Sequence, residues 1–346
     1  MKDLSRSEGI TDIKNARPAA LPKIVLLTLF STFALLLTIA DRAPLHVQGG
    51  TYNPQIEHEF NFYLNGVIHQ TLPGPYVYRV LMPWITHSLN ELVPFVSAVN
   101  VDFILKSLLI IAIQWVLFRF YASFLTVYGS LCGVFLFDFL LGFALSYIQG
   151  PSTIETMDIF NVLIFVIAIF SLRQNKSFAL YLSLVIGALN RETVWFIAPV
   201  VLIHDVIARK GYLRFIVAFF CIATPFIVLH LLIHSVDGSW FNLYGLPLNV
   251  PFLSSNLLMR VLVSNFHVMI FVGPLIALSA YRFKEQPLFL KIIASITPLF
   301  IVIHYVFGTV IESRLWLPLV VFLIPLASMN LSKLLGLESG ENSVKF

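Results

Sequence analysis

The sequence predicts an all-α polytopic membrane protein with about ten transmembrane helices, and three observations predict it. Only 12% of the 346 residues are charged, while 58% are hydrophobic and the mean hydropathy is +0.87. Soluble domains carry about 25% charged residues. The apolar residues gather in repeated long runs, not in the short alternating segments of a membrane barrel. Finally, Lys and Arg flank those runs on alternate sides, as the positive-inside rule requires.

A mostly polar tail, 1–21, precedes the first apolar run, 22–40. That run is long for a signal-peptide core and lacks an A-x-A cleavage site, so it is read as an anchor that stays. The longest extramembrane stretch follows, about 41–103. Within it, residues 56–68 put Ile56, Phe60, Tyr63, Leu64 and Val67 on one helical face with Glu57 and Glu59 beside it, the pattern of a helix lying in the interface. Leu72-Pro-Gly-Pro75 then forces a turn, and Tyr76-Val-Tyr-Arg-Val-Leu-Met-Pro-Trp84 begins a second short apolar stretch. The spans continue at 104–125, 128–147, 158–172, 177–189, 194–208 and 214–235. After an outer loop, 236–261, with Trp240, Phe241, Tyr244 and Pro247 as an interfacial aromatic anchor, come 262–281, 288–310 and 315–332. Residues 22–332 therefore read as a single transmembrane domain, and 333–346 as a tail too short to fold. No internal repeat and no soluble domain stand out.

Placing both termini in the cytoplasm puts most of the 22 Lys and Arg on inner segments. They are Lys2, Arg6, Lys14, Arg17, Lys23, Arg119, Arg173, Lys176, Arg209, Lys210, Arg214, Arg282, Lys284, Lys291, Lys333 and Lys345. The runs 177–189 and 194–208 are short for a bilayer that needs about 20 residues, yet both outer flanks of the pair are basic. They are expected to enter and return as a hairpin with Asn190-Arg191-Glu192-Thr193 at its tip; one long tilted helix would put the two basic flanks on opposite faces.

Six cations remain on the outer side or within the bilayer: Arg42, Arg79, Lys106, Arg191, Arg260 and Arg314. A charge within a span costs about 2.5–3.5 kcal/mol on insertion scales, so such groups pair and serve a site by default. Each also has an ordinary reading. Arg191 and Glu192 read either as a local ion pair holding the hairpin tip or as part of a site. Glu312-Ser-Arg314 reads as a polar turn at the water interface. Asp158 opens the fourth span, where a carboxylate favours the helix dipole. Arg79 can snorkel to headgroups, as can Arg260. Lys106 and Asp138 can pair with each other structurally, and Asp41 and Arg42 can form a solvated pair.

Several chemistries have no support. Cys132 and Cys221 both lie in apolar spans, so there is no disulfide framework and no CxxC motif. His230 and His234 have the i, i+4 spacing of metal ligands, but no third ligand is evident and packed histidines are commoner, so no metal is assigned. Walker, HExxH, GxSxG and dinucleotide fingerprints are missing. No basic patch interleaved with aromatics suits nucleic acid.

With these residues in order, the chain resembles the multispan bacterial membrane proteins related to the type C (GT-C) glycosyltransferases. The likeness rests on the first helix and the Tyr-Arg-Val-Leu-Met-Pro segment of the outer loop. It continues through Met157-Asp-Ile-Phe160, Leu189-Asn-Arg-Glu-Thr193 and Glu312-Ser-Arg-Leu-Trp-Leu-Pro318, covering about 22–332. The resemblance implies a polyprenyl-phosphate sugar as donor, no cofactor, and transfer to a lipid-linked or cell-envelope glycan acceptor. It also implies an outer-face reaction at the bacterial inner membrane, with an acidic catalytic base in the first outer loop. That loop offers Asp41, Glu57 and Glu59 where relatives carry an Asp-Glu or Asp-Asp pair; Asp158 is a further candidate. Arg79, Arg191 and Arg314 would hold phosphate, with Glu192 and Glu312 orienting them. The chemistry fits independently. Displacing a lipid phosphate from an anomeric carbon needs a proton acceptor and cations where charge develops, and the Arg fork suits phosphate. Alternatives in view are a transporter or flippase of lipid-linked or anionic substrates, a polysaccharide polymerase or ligase, and a non-catalytic assembly subunit.

Overall fold

The computed structural model of the chain describes residues 25, 28, 32, 47–48, 51–52, 54–72, 76–146, 152–233, 258–308 and 312–336. Asp41, Arg42, His234, the aromatic loop around Trp240 and most of the first apolar run lie outside these residues. The side chains of Glu57, Glu59 and Arg260 do so too.

Apart from a two-residue antiparallel pairing of β1 (Val47–Gln48) with β2 (Thr51–Tyr52), the described chain is helical. The outer loop supplies α1 (Pro54–Ile68) and α2 (Leu81–Leu92). The remaining helices are α3 (Ala98–Tyr121), α4 (Val127–Ser146), α5 (Ser152–Arg173), α6 (Ser177–Asn190), α7 (Ile197–Ile207), α8 (Leu213–Leu232), α9 (Leu258–Ala280), α10 (Leu288–Ala294), α11 (Thr297–Phe307) and α12 (Leu317–Leu334). Among the described residues, six stretches are long and apolar enough to cross a membrane: Ala98–Tyr121, Val127–Ala144, Thr156–Arg173, Leu213–Leu232, Leu288–Phe307 and Ser313–Leu334. This is a multi-pass helical membrane architecture.

The expected face of α1 is the buried one, since Phe60, Tyr63, Leu64 and Val67 are all buried. Two expectations need correction. Asp158 does not open its helix: α5 begins at Ser152, so the carboxylate sits in the second turn and is not an N-cap. The run 288–310 is not one helix, because it breaks after Ala294 and restarts at Thr297 with Pro298 near the new N-terminus. Proline lacks the N–H that a continuous helix would use there.

A helix that is apolar all round belongs in the centre of a bundle. Both α5 and α12 are such helices: Ile159 through Phe165 are mostly buried, and every residue from Leu317 to Ala327 is buried. Phe165 stacks on Phe322 between them. Gly187 lets α6 close on this centre, for a Cβ there would stand 2.8 Å from Val194 and 3.0 Å from Ile164. Elsewhere polar groups tie the spans together. Gln114 donates to Asp138 at 2.8 Å between α3 and α4, and Thr32 of the first apolar run pairs with Gln114.

Hydrogen bonds define two ends of the bundle. At one, Arg173 donates to the Ser123 carbonyl at 2.9 Å, while Lys210 and Arg214 both reach Asn175. The segments before α6 and after α7 therefore meet at the same end, the arrangement of a hairpin. Its tip lies at the opposite end, where Asn190 donates to the Met157 carbonyl at 3.0 Å and Thr193 to Asn161 at 2.9 Å.

Candidate functional site

The hairpin tip is where the helical path breaks. Arg191 ends α6 in extended backbone, φ −162°, and Glu192–Phe196 turn as a short 3-10 helix before α7. This break aims two neighbouring charges at different partners. Arg191 pairs with Asp158 of α5, and Glu192 pairs with Arg79, which precedes α2. The local Arg191–Glu192 ion pair considered above is therefore not what holds the tip. Arg79 Nε donates to Glu192 at 3.3 Å, and its Nη2 bonds the other carboxylate oxygen, a two-point grip.

A fourth segment completes the cluster. Ser313–Trp316 form a 3-10 turn directly ahead of central helix α12, which sets Arg314 over Asp158 with Nε 3.2 Å from Oδ2. Arg314 Nη2 also donates to Glu312 at 2.9 Å. Arg79, Arg191 and Arg314 are each less than a tenth exposed, and Asp158 is 2% exposed. Three guanidiniums and three carboxylates, Asp158, Glu192 and Glu312, thus meet from four separate stretches of chain. Each guanidinium has five N–H donors, more than these acids accept. Arg191 Nε and Arg314 Nη1 are buried with no hydrogen-bond partner.

Electrostatics fix the ionisation of the outer-loop pair. Burial opposes charge on Glu192, but Arg79 and Arg191 outweigh it and hold its pKa down to about 2. Burial likewise opposes charge on Arg79, and Glu192 outweighs that and keeps the guanidinium more firmly protonated than usual. Neither is a proton-transfer group near neutral pH.

Beside the cluster opens a cavity of about 490 Å³, within the range of ligand sites. Arg79, Arg191, Glu192, Glu312 and Arg314 line its polar end, together with Tyr76, Tyr78 and Thr193. The rest is apolar or aromatic: Phe196 and Pro199 from the hairpin, Phe226 and Leu229 from α8, and Leu299, Ile303 and Phe307 from α11. Leu299 and Phe307 are each 44% exposed, so this wall runs out to the apolar flank of the bundle. From Phe307 down to Leu299 the helix falls about 12 Å. Two histidines also line the cavity. His230 stacks on Tyr78 at 3.8 Å between ring centroids, and His304 stacks on Phe300 at 4.0 Å.

Of the residues singled out from sequence, Arg79, Arg191, Arg314, Glu192 and Glu312 converge on this one cavity, with Asp158 behind them and not on its wall. Glu57 and Glu59 lie on α1, whose Tyr63 stands 6.5 Å from the cavity-lining Tyr76 and packs in one cluster with Tyr78, while their own side chains lie outside the described residues. Asp41 falls outside the described residues. Lys106 is buried in α3 on the same face as Asp102 and is not part of the lining. Among the described residues no group of three or more His, Cys, Asp or Glu is placed to hold a metal ion. His304 was missed in the sequence, where it looks like one more polar residue in an apolar run.

Comparison with protein-family models, with curated proteins and with solved structures finds no match.

Proposed function

We propose that this protein is a GT-C-like integral membrane glycosyltransferase, with about ten spans, acting at the outer face of the bacterial inner membrane. It takes a sugar from a polyprenyl-phosphate donor and gives it to a lipid-linked or cell-envelope glycan acceptor. The observation that carries the reading is the composition of one cavity: three arginines at one end and an apolar wall that runs to the exposed apolar flank of the bundle at the other. An anionic headgroup on a hydrocarbon chain matches both halves, and a nucleotide donor has no use for the second. Arg79, Arg191 and Arg314 take the phosphate, while Glu192 and Glu312 hold Arg79 and Arg314 in orientation. In the transfer, the acceptor hydroxyl oxygen bonds to the anomeric carbon as the bond from that carbon to phosphate breaks. The electron pair leaves with the prenyl phosphate, where the guanidiniums meet the developing charge.

The test is full-length protein in lipid nanodiscs with labelled polyprenyl-phosphate hexoses and pentoses. Label should move to an acceptor glycan or to water, and the Arg191→Ala plus Glu192→Ala variant should lose it. Full transfer by that variant removes the site.

Buried Asp102, Lys106 and Asp138 favour a second reading, a transporter or flippase of lipid-linked substrates, because intramembrane charges mark pathways. Movement of unaltered substrate across proteoliposomes, without bond cleavage, selects it over transfer.

A further inference from the structure

We infer that His304 is the group that accepts the proton from the attacking hydroxyl. The inference rests on the glycosyl-transfer reading above.

The first argument is elimination among groups that touch the cavity. Transfer from an O–H nucleophile needs a proton acceptor within reach. Glu192 is held at two points by Arg79, and Glu312 is held by Arg314. Asp158 is engaged by both Arg191 and Arg314 and is not on the cavity wall. Among the described lining residues, no carboxylate is left without a guanidinium on it. Among the described lining residues the two histidines are the remaining bases, the side chains of Asp41, Glu57 and Glu59 lying outside the described residues.

The second argument is tautomer. His304 Nδ1 lies 2.8 Å from the Phe300 carbonyl oxygen. A carbonyl only accepts, so Nδ1 carries the hydrogen and the lone pair of the neutral ring sits on Nε2. The ring is clamped as well: Phe300 and Phe196 stack against it at 4.0 and 5.6 Å, and Trp316 stands 5.5 Å away. The residue is 4% exposed. A neutral imidazole held in one tautomer, in a water-poor part of a cavity, is set up to take one proton and give it back. His230 has the same link to a carbonyl, Phe226 at 2.7 Å, and stacks on Tyr78, whereas the Phe196 and Trp316 rings join His304 to the hairpin tip and the Arg314 turn.

The third argument is charge balance. The charged and polar groups that line the cavity with His304 include Arg191 and Glu192 from the hairpin, Glu312 and Arg314 from the turn before α12, and Arg79, Tyr76, Tyr78 and His230. With Asp158, the ionised cluster is three cations against three anions. An empty site therefore sets no net negative charge beside the imidazole. Once the bond to phosphate breaks, the leaving prenyl phosphate carries one more negative charge than the diester and stands beside the imidazolium that has formed. The proton from the acceptor moves to Nε2 as the carbon–phosphate linkage breaks, and the imidazolium then faces the departing prenyl phosphate.

The experiment uses the full chain in nanodiscs with a polyprenyl-phosphate hexose and with sugar-free polyprenyl phosphate. His304→Gln and His304→Phe are both made, the second keeping the aromatic stack. Each is expected to bind polyprenyl phosphate within about threefold of wild type while turnover falls about 10²–10⁴-fold. Binding of polyprenyl phosphate by wild type should take up protons, read as a dependence of binding heat on buffer ionisation, and both variants should lose that uptake. Wild-type turnover in either variant, with Glu57→Gln or Glu59→Gln losing it instead, overturns the inference and leaves the transferase reading standing. Wild type that neither binds nor cleaves the donor overturns both.

Discussion

At one end of the bundle Arg214 grips Asp205, and at the other Arg191 grips Asp158; each acid is at most 2% exposed. Around Asp205 the neighbours are used up on one another. Arg214 Nε donates to it at 2.8 Å, His204 sits 2.9 Å from it, and Lys210 and Arg214 also share Asn175. None of these residues lines the cavity. Around Asp158 the same chemistry is left open. Arg191 and Arg314 each keep a buried N–H without a partner, and the groups beside them border about 490 Å³ of space. A buried Arg–Asp pair is thus a staple or a site according to whether its surplus donors meet protein or face a cavity.

Four predictions test that contrast, beginning with the largest effect. Replacing Arg191 and Arg314 together by Gln should lower donor turnover by about 10³-fold or more, as loss of charge-stabilising donors does, measured as label released from polyprenyl-phosphate hexose. Asp205→Ala should leave turnover per folded molecule intact while costing about 1–3 kcal/mol of stability, because it leaves the half-buried Arg214 without its charged partner; denaturant unfolding reads this. A matching loss of turnover there would erase the distinction between the ends. Gly187→Ala should cost about 1–3 kcal/mol through overpacking against Val194 and Ile164 and should lower the unfolding temperature. Ile303→Trp, which fills the apolar arm, should weaken binding of long-chain polyprenyl phosphate about tenfold, about 1.4 kcal/mol, and leave a short, water-soluble prenyl phosphate unaffected.

A pH prediction sharpens the assignment of roles. Glu192 has its pKa depressed to about 2, so the stability it contributes is fully present above its unfolded value near 4.5 and is lost only as pH falls through about 2. Any acid limb of activity above pH 4.5 therefore belongs to another group. It should persist in Glu192→Gln, as followed by turnover against pH.

Much of this was legible before any coordinates. Apolar runs and basic flanks gave the helix positions to within a few residues for most spans, because a bilayer permits few other solutions. Charge placed where membranes exclude it pointed to Arg79, Arg191 and Arg314 one by one. What the sequence does not carry is who faces whom. Glu192 and Arg191 are adjacent in the chain yet bond Arg79 and Asp158, more than 30 residues away, because extended backbone at Arg191 turns successive side chains apart. Asp158 reads as a cap from the sequence because the nearly continuous apolar run begins just after it, whereas the helix starts at Ser152. His304 escaped notice since its role depends on a carbonyl one turn back and rings from two other segments.

The central claim is that the arginine end of the cavity holds a lipid phosphate. Equilibrium binding of labelled polyprenyl phosphate and of the matching polyprenol to the full chain in nanodiscs tests it most directly. The account predicts saturable binding of the phosphate, weak binding of the alcohol, and loss of the difference in Arg191→Gln plus Arg314→Gln. Equal affinity for phosphate and alcohol, or a double variant that binds as the wild type does, contradicts it.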